Sequence, residues 1–415
     1  MEKIRILHAA SAISQSSASY RLHMALRQNS VDSWFFTKNA AVDRQNVIVH
    51  GGKIDELLEP FKKIPEYVMR RFLFNHAYGG CFSFNITPSR IYKNINDLNF
   101  EIINLHWICN FIPISSIAKL NSQIVWTLHD KWPFTAGCHI LKNCDKFISG
   151  CKKCPQLNLC DFFDMSYFLF YLKCLAYRKK TMHIVAPSKN IYDLALSSSL
   201  FENFKIYHIP NAIDTSKFFP YSQQEARKLL GLPLHKKIIL FGAVSAMSDL
   251  NKGADILFDA LSIVRESMRE NVEFVIFGSS QGHDSALPTR YLGNLLDSLS
   301  TNLAYNAADV FVCPSREENL PNTVLESLSC GTPVVCFDIG GNADMVLHMK
   351  SGYLAAPYDV KDLAYGIQYV LSSDDSMQMS ELASRTVKIG FAQDLVAKRY
   401  IELYSSILCD SVRKS

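Results

Sequence analysis

Short apolar runs alternate with amphipathic stretches along the chain, and this alternation predicts strands separated by helices. In the first half, apolar runs recur at Ile4–His8, Trp34–Thr37, Ile102–Leu105, Ile124–Leu128 and His183–Ala186. Between the first two runs, we expect a Ser- and Ala-rich loop at Ala10–Ser19 and a helix from about Tyr20 to Gln28. This pattern is typical of a parallel, doubly wound α/β sheet.

A second α/β series begins after Pro210. It predicts the following elements in chain order: strand Ile238–Phe241, helix Ala254–Met268, strand Phe274–Phe277, a helix at Tyr291–Leu299 or shorter, strand Val310–Cys313, a helix that holds Glu326, strand Pro333–Phe337, helix Lys361–Leu371 and a last amphipathic helix at Leu395–Leu408. Two such series in one chain predict two Rossmann-like domains that face a cleft at their junction.

The length of 415 residues is sufficient for two substantial cores, and 48% hydrophobic with 20% charged residues is ordinary for a globular protein. We place an N-terminal domain at 1–205 with a Cys-rich insertion near 133–180, a second domain at 206–390, and a C-terminal helix at 391–415 that packs back on the first domain. The sequence has no apolar run long enough to span a membrane, and MEKIRILHAAS leads directly into a strand. We therefore expect a cytoplasmic protein.

The segment Val310–Gly341 carries the most specific chemical signal. A buried strand ends at Pro314-Ser315, and an acidic loop with Glu318 then leads into a helix that holds Glu326. Open α/β sheets bind ligands where such strands end. A helix N-terminus offers unpaired amides to a phosphate, which we expect from Asn322, Thr323 and Val324, and carboxylates accept hydrogen bonds from sugar hydroxyls. The alternative is that Glu318 is a solvated loop charge and Glu326 an ordinary helix acid.

These residues resemble a known signature. The pattern Pro314-Ser315-x-x-Glu318, then Glu326, then Cys330-Gly331-Thr332-Pro333 is similar to the donor site of retaining, nucleotide-sugar-dependent GT-B glycosyltransferases of family four. His208–Asp214 resembles the interdomain turn of that family, and Lys252-Gly253 resembles its phosphate-binding lysine. The family has Gly-Arg where this chain has Gly242-Ala243, so one cation must suffice or another basic residue must substitute.

The resemblance implies roles for individual residues. Glu318, His129 and Lys252 are the candidate catalytic residues: Glu318 would orient the sugar, Lys252 would stabilise the departing diphosphate, and His129, held by Asp130, would lie near the sugar hydroxyls. His106 is a weaker candidate, and both histidines could instead be structural. The expected donor-binding residues are Glu326, Asn319, Leu320, Asn322, Thr323, Val324, Gly278 and Ser245. A UDP- or GDP-sugar is the expected donor, and no catalytic metal is expected because no Asp-x-Asp motif stands at a strand end.

A cysteine cluster lies between the strand near 128 and the strand near 183. Cys138, Cys144, Cys151 and Cys154 resemble a compact zinc knuckle, which would hold an irregular loop by thiolate ligation, and His139 or Cys160 could replace one cysteine. Reduced structural thiols, or a disulfide or redox role, are the alternatives. The neighbouring segments Thr127–Phe134 (TLHDKWPF) and Cys154–Leu157 resemble those of exopolysaccharide and O-antigen transferases of the colanic-acid type.

The formal net charge of +4 is unevenly distributed, with about +11 on residues 1–190 and about −7 on the remainder. Basic pairs such as Lys62-Lys63 and Lys152-Lys153 are interleaved with aromatic residues such as Tyr67, Phe162 and Tyr167. A basic, aromatic surface would favour the anionic inner-membrane face, where an undecaprenyl-diphosphate-linked acceptor lies. A solvated basic face over a buried aromatic core is the alternative, and no nucleic-acid-binding module is present.

The sequence therefore predicts a glycosyltransferase for bacterial surface polysaccharide, peripherally associated with the membrane. Two alternatives remain open at this point. A GT-B relative such as an epimerase or phosphorylase would use the same donor site for another reaction. A non-catalytic partner subunit would bind nucleotide or lipid without transfer.

Overall fold

The computed structural model describes residues 4–43, 45–51, 64, 66–75, 80–158, 164–242, 249–268, 271–282 and 285–412. The chain divides into two compact units. Unit 1 comprises Met1–Ile209 with Val396–Ser415, and unit 2 comprises Pro210–Leu395.

Unit 1 is built on a parallel sheet of seven strands in the order β3-β2-β1-β4-β5-β6-β7. The strands are β1 Arg5–Ser14, β2 Asp32–Ala41, β3 Val47–Val49, β4 Ile102–Leu105, β5 Gln123–Thr127, β6 Met182–Ala186 and β7 Lys205–His208. Its helices are Ala18–Gln28, Ile91–Asp97, Ile114–Ile117, Met165–Tyr177 and Lys189–Ser197, with a short 3-10 turn at Trp132–Phe134. Strands β4 and β6 are buried along their whole length, as parallel strands covered on both faces are.

Unit 2 contains a parallel sheet of six strands in the order β10-β9-β8-β11-β12-β13. The strands are β8 Lys237–Gly242, β9 Val272–Phe277, β10 Thr289–Tyr291, β11 Val310–Cys313, β12 Val334–Phe337 and β13 Gly352–Ala355. Its helices are Gln223–Leu229, Ala254–Met268, Ser298–Ala307, Asn322–Ser329, Asn342–Met345, Val360–Ser372 and Ser376–Gly390, with a 3-10 turn at Leu250–Lys252. Apolar clusters cover both faces of this sheet.

The last helix, Gln393–Val412, supplies two buried tyrosines to unit 1. The Tyr404 hydroxyl lies 2.8 Å from Asn104 Nδ2 and accepts its hydrogen bond. The Tyr400 hydroxyl lies 3.1 Å from Thr127 Oγ1. These contacts satisfy polar side chains at the centre of the sheet, on β4 and β5, where no water would reach them.

Two elements differ from the sequence prediction. The predicted loop at Ala10–Ser19 is strand as far as Ser14, because β2 continues to Ala41 and pairs with it residue by residue. The predicted helix at Tyr291–Leu299 is wrong, since Thr289–Tyr291 is strand and the helix begins at Ser298. The Asp297 carboxylate accepts from the Ser300 amide and fixes that later start.

Candidate active site

The candidate site of unit 2 lies where its strand order reverses. The chain passes from β8 to β9 and β10 on one side, and from β11 to β12 and β13 on the other. The connections that follow β8 and β11 therefore diverge at the carboxyl edge of the sheet, which is the usual ligand position in such folds. Lys252 follows β8 in the 3-10 turn Leu250–Lys252, and Glu318 follows β11.

Lys252 and Glu318 form an ion pair at this edge. Lys252 Nζ donates to Glu318 Oε1 at 2.8 Å, and the side chains are 26% and 13% exposed. Burial by itself would lower the pKa of Lys252, but the charge and hydrogen bond of Glu318 outweigh it and raise that pKa. Lys252 is thus a fixed cation at neutral pH, and its ammonium has three N–H donors, of which Glu318 occupies one.

Backbone contacts hold the two loops together around this pair. The Arg316 amide donates to Asn251 O at 2.8 Å, and Asn251 Nδ2 donates to Glu317 O at 2.9 Å. Gly253 has φ +70°, and a Cβ atom there would lie 2.0 Å from Pro314 O. Only glycine fits this close approach, so the distance between Lys252 and Glu318 is set by the backbone.

A second glycine supports Glu318 from the loop after β12. Gly340 has φ +55°, and a Cβ atom there would lie 2.0 Å from Glu318 O. The next residue, Gly341, donates its amide to Asn319 O at 2.7 Å. These contacts explain the Gly340-Gly341 pair after β12. The loops after β8 and β12 thus both contact the loop after β11 that carries Glu318, which the sequence had not indicated.

Arg316 is the basic residue of the loop after β11, and its charge is already compensated. Its guanidinium forms a bidentate pair with Asp255, one bond measuring 2.9 Å, and also donates to Leu250 O. The Tyr358 hydroxyl donates to Arg316 O at 2.9 Å. Arg316 therefore links the loops instead of substituting for the arginine missing at Ala243, and Ala243 itself lies outside the described residues.

Helix Asn322–Ser329 begins four residues after Glu318, so its N-terminus lies at the same edge of the sheet. Pro321 precedes it and offers no side-chain cap. The Val324 amide donates to Pro321 O at 3.2 Å, which makes it a poorer phosphate donor than the sequence suggests. Asn322 and Thr323, half-buried at the helix start, are better placed for that role.

The remaining predicted donor residues occupy different surroundings. Glu326 is 5% exposed, and its Oε2 accepts from the Tyr305 hydroxyl at 2.9 Å, so a ribose contact stays a prediction. Leu320 is buried, and its carbonyl accepts from Asn211 Nδ2 at 3.1 Å. Gly278 ends β9 with φ +83° and donates to Gly293 O. Ser245 lies outside the described residues.

In unit 1, His129 belongs to a row of three histidines: His8 lies within β1, His106 directly follows β4, and His129 follows β5. His129 Nε2 lies 2.9 Å from His106 Nδ1, and His106 Nε2 lies 2.9 Å from His8 Nδ1. Adjacent rings are stacked, with centroids 5.1 and 5.2 Å apart. Burial lowers the pKa of His129 to about 4, against an opposing effect of Asp130, and lowers the pKa values of His106 and His8 well below the ordinary value.

Asp130 was the expected partner of His129, but its carboxylate accepts hydrogen bonds from other groups. Asp130 Oδ2 accepts from His139 Nδ1 at 2.6 Å and from Trp107 Nε1 at 2.8 Å, and Oδ1 accepts from the Trp132 amide at 2.9 Å. Burial would raise the pKa of Asp130, but His139 and these hydrogen bonds together lower it. His106 is the residue that contacts His129. Three histidines at neighbouring strand ends were the available sequence signal.

The zinc prediction is not supported by the geometry. Cys138 Sγ lies 3.8 Å from Cys154 Sγ, but among the described residues no three or more ligand side chains gather closely enough to hold a metal. Cys151 accepts from the Ala136 amide, and burial raises its pKa to about 12, which disfavours the thiolate that zinc requires. Cys144 is half-buried in the same segment, and Cys160 lies outside the described residues.

Lys173 holds part of this cysteine-containing segment. Its ammonium is fully buried, donates to Thr135 O at 2.9 Å and to Trp132 O, and lies 3.4 Å from the centroid of the Trp132 ring. Burial lowers its pKa to about 7. A buried cation with backbone carbonyl partners and an aromatic face thus fixes the turn after β5.

The aromatic residues near the basic pairs divide into two groups. Phe74 and Phe170 are buried in the core of unit 1. Tyr167 and Tyr171 are about half exposed and stack on each other, and Lys152 lies 5.3 Å from the Tyr167 ring. Lys62, Lys63 and Phe162 lie outside the described residues. In the part of the chain that the structure describes, no helix is long and apolar enough to cross a membrane.

Comparison with known families and sequences relates unit 2 to sugar-transferring enzymes. Residues 236–373, which include Lys252, Glu318 and Glu326, match the family model for glycosyl transferases group 1. The D-inositol 3-phosphate glycosyltransferase of Thermobispora bispora is 28% identical over 239 residues, covering 50% of this chain and 54% of that protein. The N,N'-diacetylbacillosaminyl-diphospho-undecaprenol alpha-1,3-N-acetylgalactosaminyltransferase of Campylobacter jejuni is 26% identical over 209 residues, covering 47% and 53%. The chain spans about half the length of these curated relatives.

Solved structures match nearly the whole chain. Sucrose-phosphate synthase from Thermosynechococcus elongatus gives a TM-score of 0.67 at 17% identity over 98% of this chain and 100% of that one. Anabaena HepE in complex with UDP-glucose gives 0.60 at 15% identity over 97% and 100%. At these identities the likeness shows the fold, and the predicted class of two Rossmann-like α/β domains of the GT-B type is confirmed.

Proposed function

We propose that this chain is a glycosyltransferase that moves a sugar from a nucleoside diphosphate to a hydroxyl group of a lipid-linked or growing oligosaccharide. The observation that carries the proposal is the Lys252–Glu318 ion pair at the switch point of unit 2, within the segment that matches group 1 glycosyltransferases. A cation beside a carboxylate, next to a helix N-terminus, suits a ligand with both phosphates and hydroxyls.

The chemistry follows from how charge moves in such a transfer. The bond between the anomeric carbon and the diphosphate oxygen breaks, and its electron pair leaves on that oxygen. The acceptor oxygen bonds to the same carbon and loses its proton to the departing diphosphate. Lys252 keeps two N–H donors for the developing charge while it holds Glu318, and the amides of Asn322 and Thr323 add to that stabilisation. Glu318 accepts from the sugar hydroxyls.

The donor we propose is a UDP- or GDP-sugar, transferred with retention of configuration and without a catalytic metal. HepE, whose fold this chain shares, was solved with UDP-glucose, which favours uridine as the first base to test. Lys252 and the amides at the start of helix Asn322–Ser329 supply the charge stabilisation that a metal ion supplies in other transferases.

The acceptor we propose is an undecaprenyl-diphosphate-linked saccharide in bacterial surface polysaccharide synthesis, reached by peripheral contact with an anionic membrane. The name of the Campylobacter relative specifies a diphospho-undecaprenol substrate. The exposed Tyr167 and Tyr171 beside Lys152, on the basic half of the chain, form the kind of surface that binds anionic headgroups.

The test begins with thermal unfolding of the purified chain in the presence of UDP-, GDP- and dTDP-sugars. A donor raises the unfolding midpoint in proportion to its occupancy, so one donor should give the largest shift. That donor is then incubated with and without undecaprenyl-diphosphate-linked acceptor, and products are analysed by mass spectrometry and by NMR of the new anomeric centre.

Transfer that requires the acceptor and retains the anomeric configuration supports the proposal. Conversion of the donor alone to an isomer would instead identify an epimerase, and sugar release to inorganic phosphate would identify a phosphorylase. A donor shift without any product under all conditions would identify a non-catalytic binding subunit.

A further inference from the structure

His129 has only one ring nitrogen available for a ligand. Its Nε2 lies 2.9 Å from His106 Nδ1, so Nδ1 is the atom that a bound molecule would meet. His129 itself is half-buried at the end of β5. Whether Nδ1 donates or accepts a hydrogen bond depends on the tautomer, and the tautomer depends on what His106 presents to Nε2.

His106 cannot choose its tautomer independently, because its other nitrogen contacts His8. Each neutral imidazole has one N–H and one lone pair, so the two nitrogen-to-nitrogen contacts must run in the same direction along the row. Either every ring carries its proton on Nδ1, or every ring carries it on Nε2. The three histidines therefore share one tautomeric state.

The inner end of the row decides between these two states. His8 Nε2 is buried and has no hydrogen-bond partner. With the protons on Nε2, His8 would bury an N–H without an acceptor, and orphaned buried donors are rare. With the protons on Nδ1, His8 leaves only a lone pair unsatisfied, and it donates to His106, which donates to His129. The state with the protons on Nδ1 therefore has the lower free energy.

We infer that His106 and His8 are positioning residues that hold His129 in the Nδ1–H tautomer and so make it a hydrogen-bond donor toward a bound sugar. This inference rests on the proposed function for the identity of the ligand. The usual preference of a free histidine is the Nε2–H form, so the row reverses it. A sugar hydroxyl or ring oxygen would accept from His129 Nδ1.

The surroundings of the row keep it neutral. His8 and His106 are 0% and 2% exposed, and Phe35 stacks on His8 with a centroid distance of 5.7 Å. A proton added to His106 would make both of its nitrogens donors and would force His8 into the unfavourable tautomer. The groups nearest the row are His23, which bonds Ser33 at 2.8 Å, and Asp130, which is engaged by His139 and Trp107.

The direct test is the tautomer itself, read from two-bond nitrogen-to-proton correlations of the full chain with ¹⁵N-labelled histidine. His129→Asn assigns the His129 signals by their loss. We expect Nδ1–H for His129 in the unchanged protein. An Nε2–H form of His129 would overturn the inference, and this measurement needs no catalytic activity.

Two substitutions of His106 then test its positioning role. Asparagine can keep a donor near the Nδ1 position, whereas an aspartate carboxylate there can only accept a hydrogen bond. We expect His129 to stay Nδ1–H in His106→Asn and to change to Nε2–H in His106→Asp. Turnover should fall about 10-fold to 100-fold in the aspartate variant, as when the outer-shell partner of a metal-ligating histidine is removed, with the donor-induced thermal shift retained.

If His106→Asp fails to fold, the tautomer of the unchanged protein still decides the inference, because that measurement needs no substitution of His106. An unchanged His129 tautomer in folded His106→Asp would overturn the relay. A tautomer that responds as expected in a protein without any transfer activity would uphold the relay and refute the proposed function, so the two failures are distinguishable.

Discussion

The two units place different chemistry at the same position of the same kind of sheet. Unit 2 sets an ion pair, Lys252 with Glu318, at the reversal of its strand order, next to a helix N-terminus. Unit 1 sets three stacked imidazoles there: His8 within β1, and His106 and His129 just after β4 and β5. The edge of unit 2 carries charged side chains, and the edge of unit 1 carries neutral polar side chains.

Burial explains this difference. The pair in unit 2 keeps partial exposure, so both charges stay solvated enough to persist and to meet an anionic ligand. The inner histidines in unit 1 are fully buried, where a charge would be costly, and they satisfy one another as neutral rings. The edge of unit 2 therefore offers fixed charge to a ligand, and the edge of unit 1 offers directional hydrogen bonds.

Removing the cation should have the largest effect. Lys252→Met keeps much of the side-chain length and deletes the charge, and we expect turnover to fall about 100-fold to 1,000-fold, as when a preorganised group that stabilises a developing anion is lost. Lys228→Met is the matched control, since Lys228 is exposed and pairs with Glu225 in the same unit. Steady-state kinetics with the best donor provide the measurement. Equal losses in both variants would refute the role of Lys252.

Removing the carboxylate charge should have a smaller effect. In Glu318→Gln, an amide replaces one acceptor oxygen, and we expect donor-sugar affinity and turnover together to fall about 10-fold to 100-fold, the range for a charged hydrogen bond. Glu317→Gln, one residue earlier, should leave both nearly unchanged. Isothermal titration with donor separates binding from turnover. Wild-type kinetics in Glu318→Gln would contradict the assignment.

Acid should destabilise unit 1 before unit 2. The folded-state pKa of His129 is about 4 and that of His23 about 3, both below the ordinary value, so between about pH 6.5 and 4 the unfolded chain binds more protons and stability falls as pH falls. His129 alone should contribute roughly 3 kcal/mol of this loss. All four tryptophans lie in unit 1, so their fluorescence follows its unfolding. A midpoint that is constant over this range would contradict the expectation.

Alkali should stabilise unit 1 through Lys173. Its folded-state pKa of about 7 lies below the ordinary value of 10.5, so between these values the unfolded chain binds more protons and stability rises with pH. We expect a gain of about 2 to 3 kcal/mol from about pH 7.5 to 9.5. Lys173→Met should flatten this dependence, while Lys189→Met, at an exposed pair with Asp193, should preserve it. Tryptophan fluorescence during denaturant unfolding is the readout, and a dependence retained in Lys173→Met would exclude Lys173 as its source.

The smallest effect should come from the exposed aromatic surface of unit 1. Replacing Tyr167 and Tyr171 by serine removes two half-exposed rings, and we expect binding to phosphatidylglycerol vesicles to weaken about 10-fold without loss of donor binding. Vesicle co-sedimentation measures it. Tyr365→Ser, an exposed tyrosine of unit 2, is the control. Unchanged sedimentation of the double variant would rule out this surface as the membrane contact.

The sequence predicted the features that depend on local pattern. Both α/β series, the strand Val310–Cys313 and the position of Glu318 follow from apolar runs and turn residues. The resemblance named Lys252 and Glu318 as site residues, but it did not give the contact between them, because the close approach of Gly253 to Pro314 joins loops that follow two different strands.

What the sequence could not predict depends on tertiary partners. Residues Ala10–Ser14 look like a loop by composition and become strand because β2 pairs with them. Asp130 is adjacent to His129 in sequence but bonds His139 and Trp107 instead. The Cys138–Cys154 spacing suggested a metal knuckle, whereas the buried Lys173 that holds part of this segment comes from a helix some distance along the chain. None of these partners can be inferred from the residues beside them.

The contribution of Tyr400 and Tyr404 to unit 1 imposes an order on synthesis. A ribosome completes Pro210–Leu395 before it delivers the two tyrosines, so unit 2 can fold while the polar groups of Asn104 and Thr127 still lack these hydroxyl partners. Unit 1 therefore completes its fold last. A chain released before Tyr400 would leave Asn104 and Thr127 in the sheet of unit 1 without these hydroxyl partners.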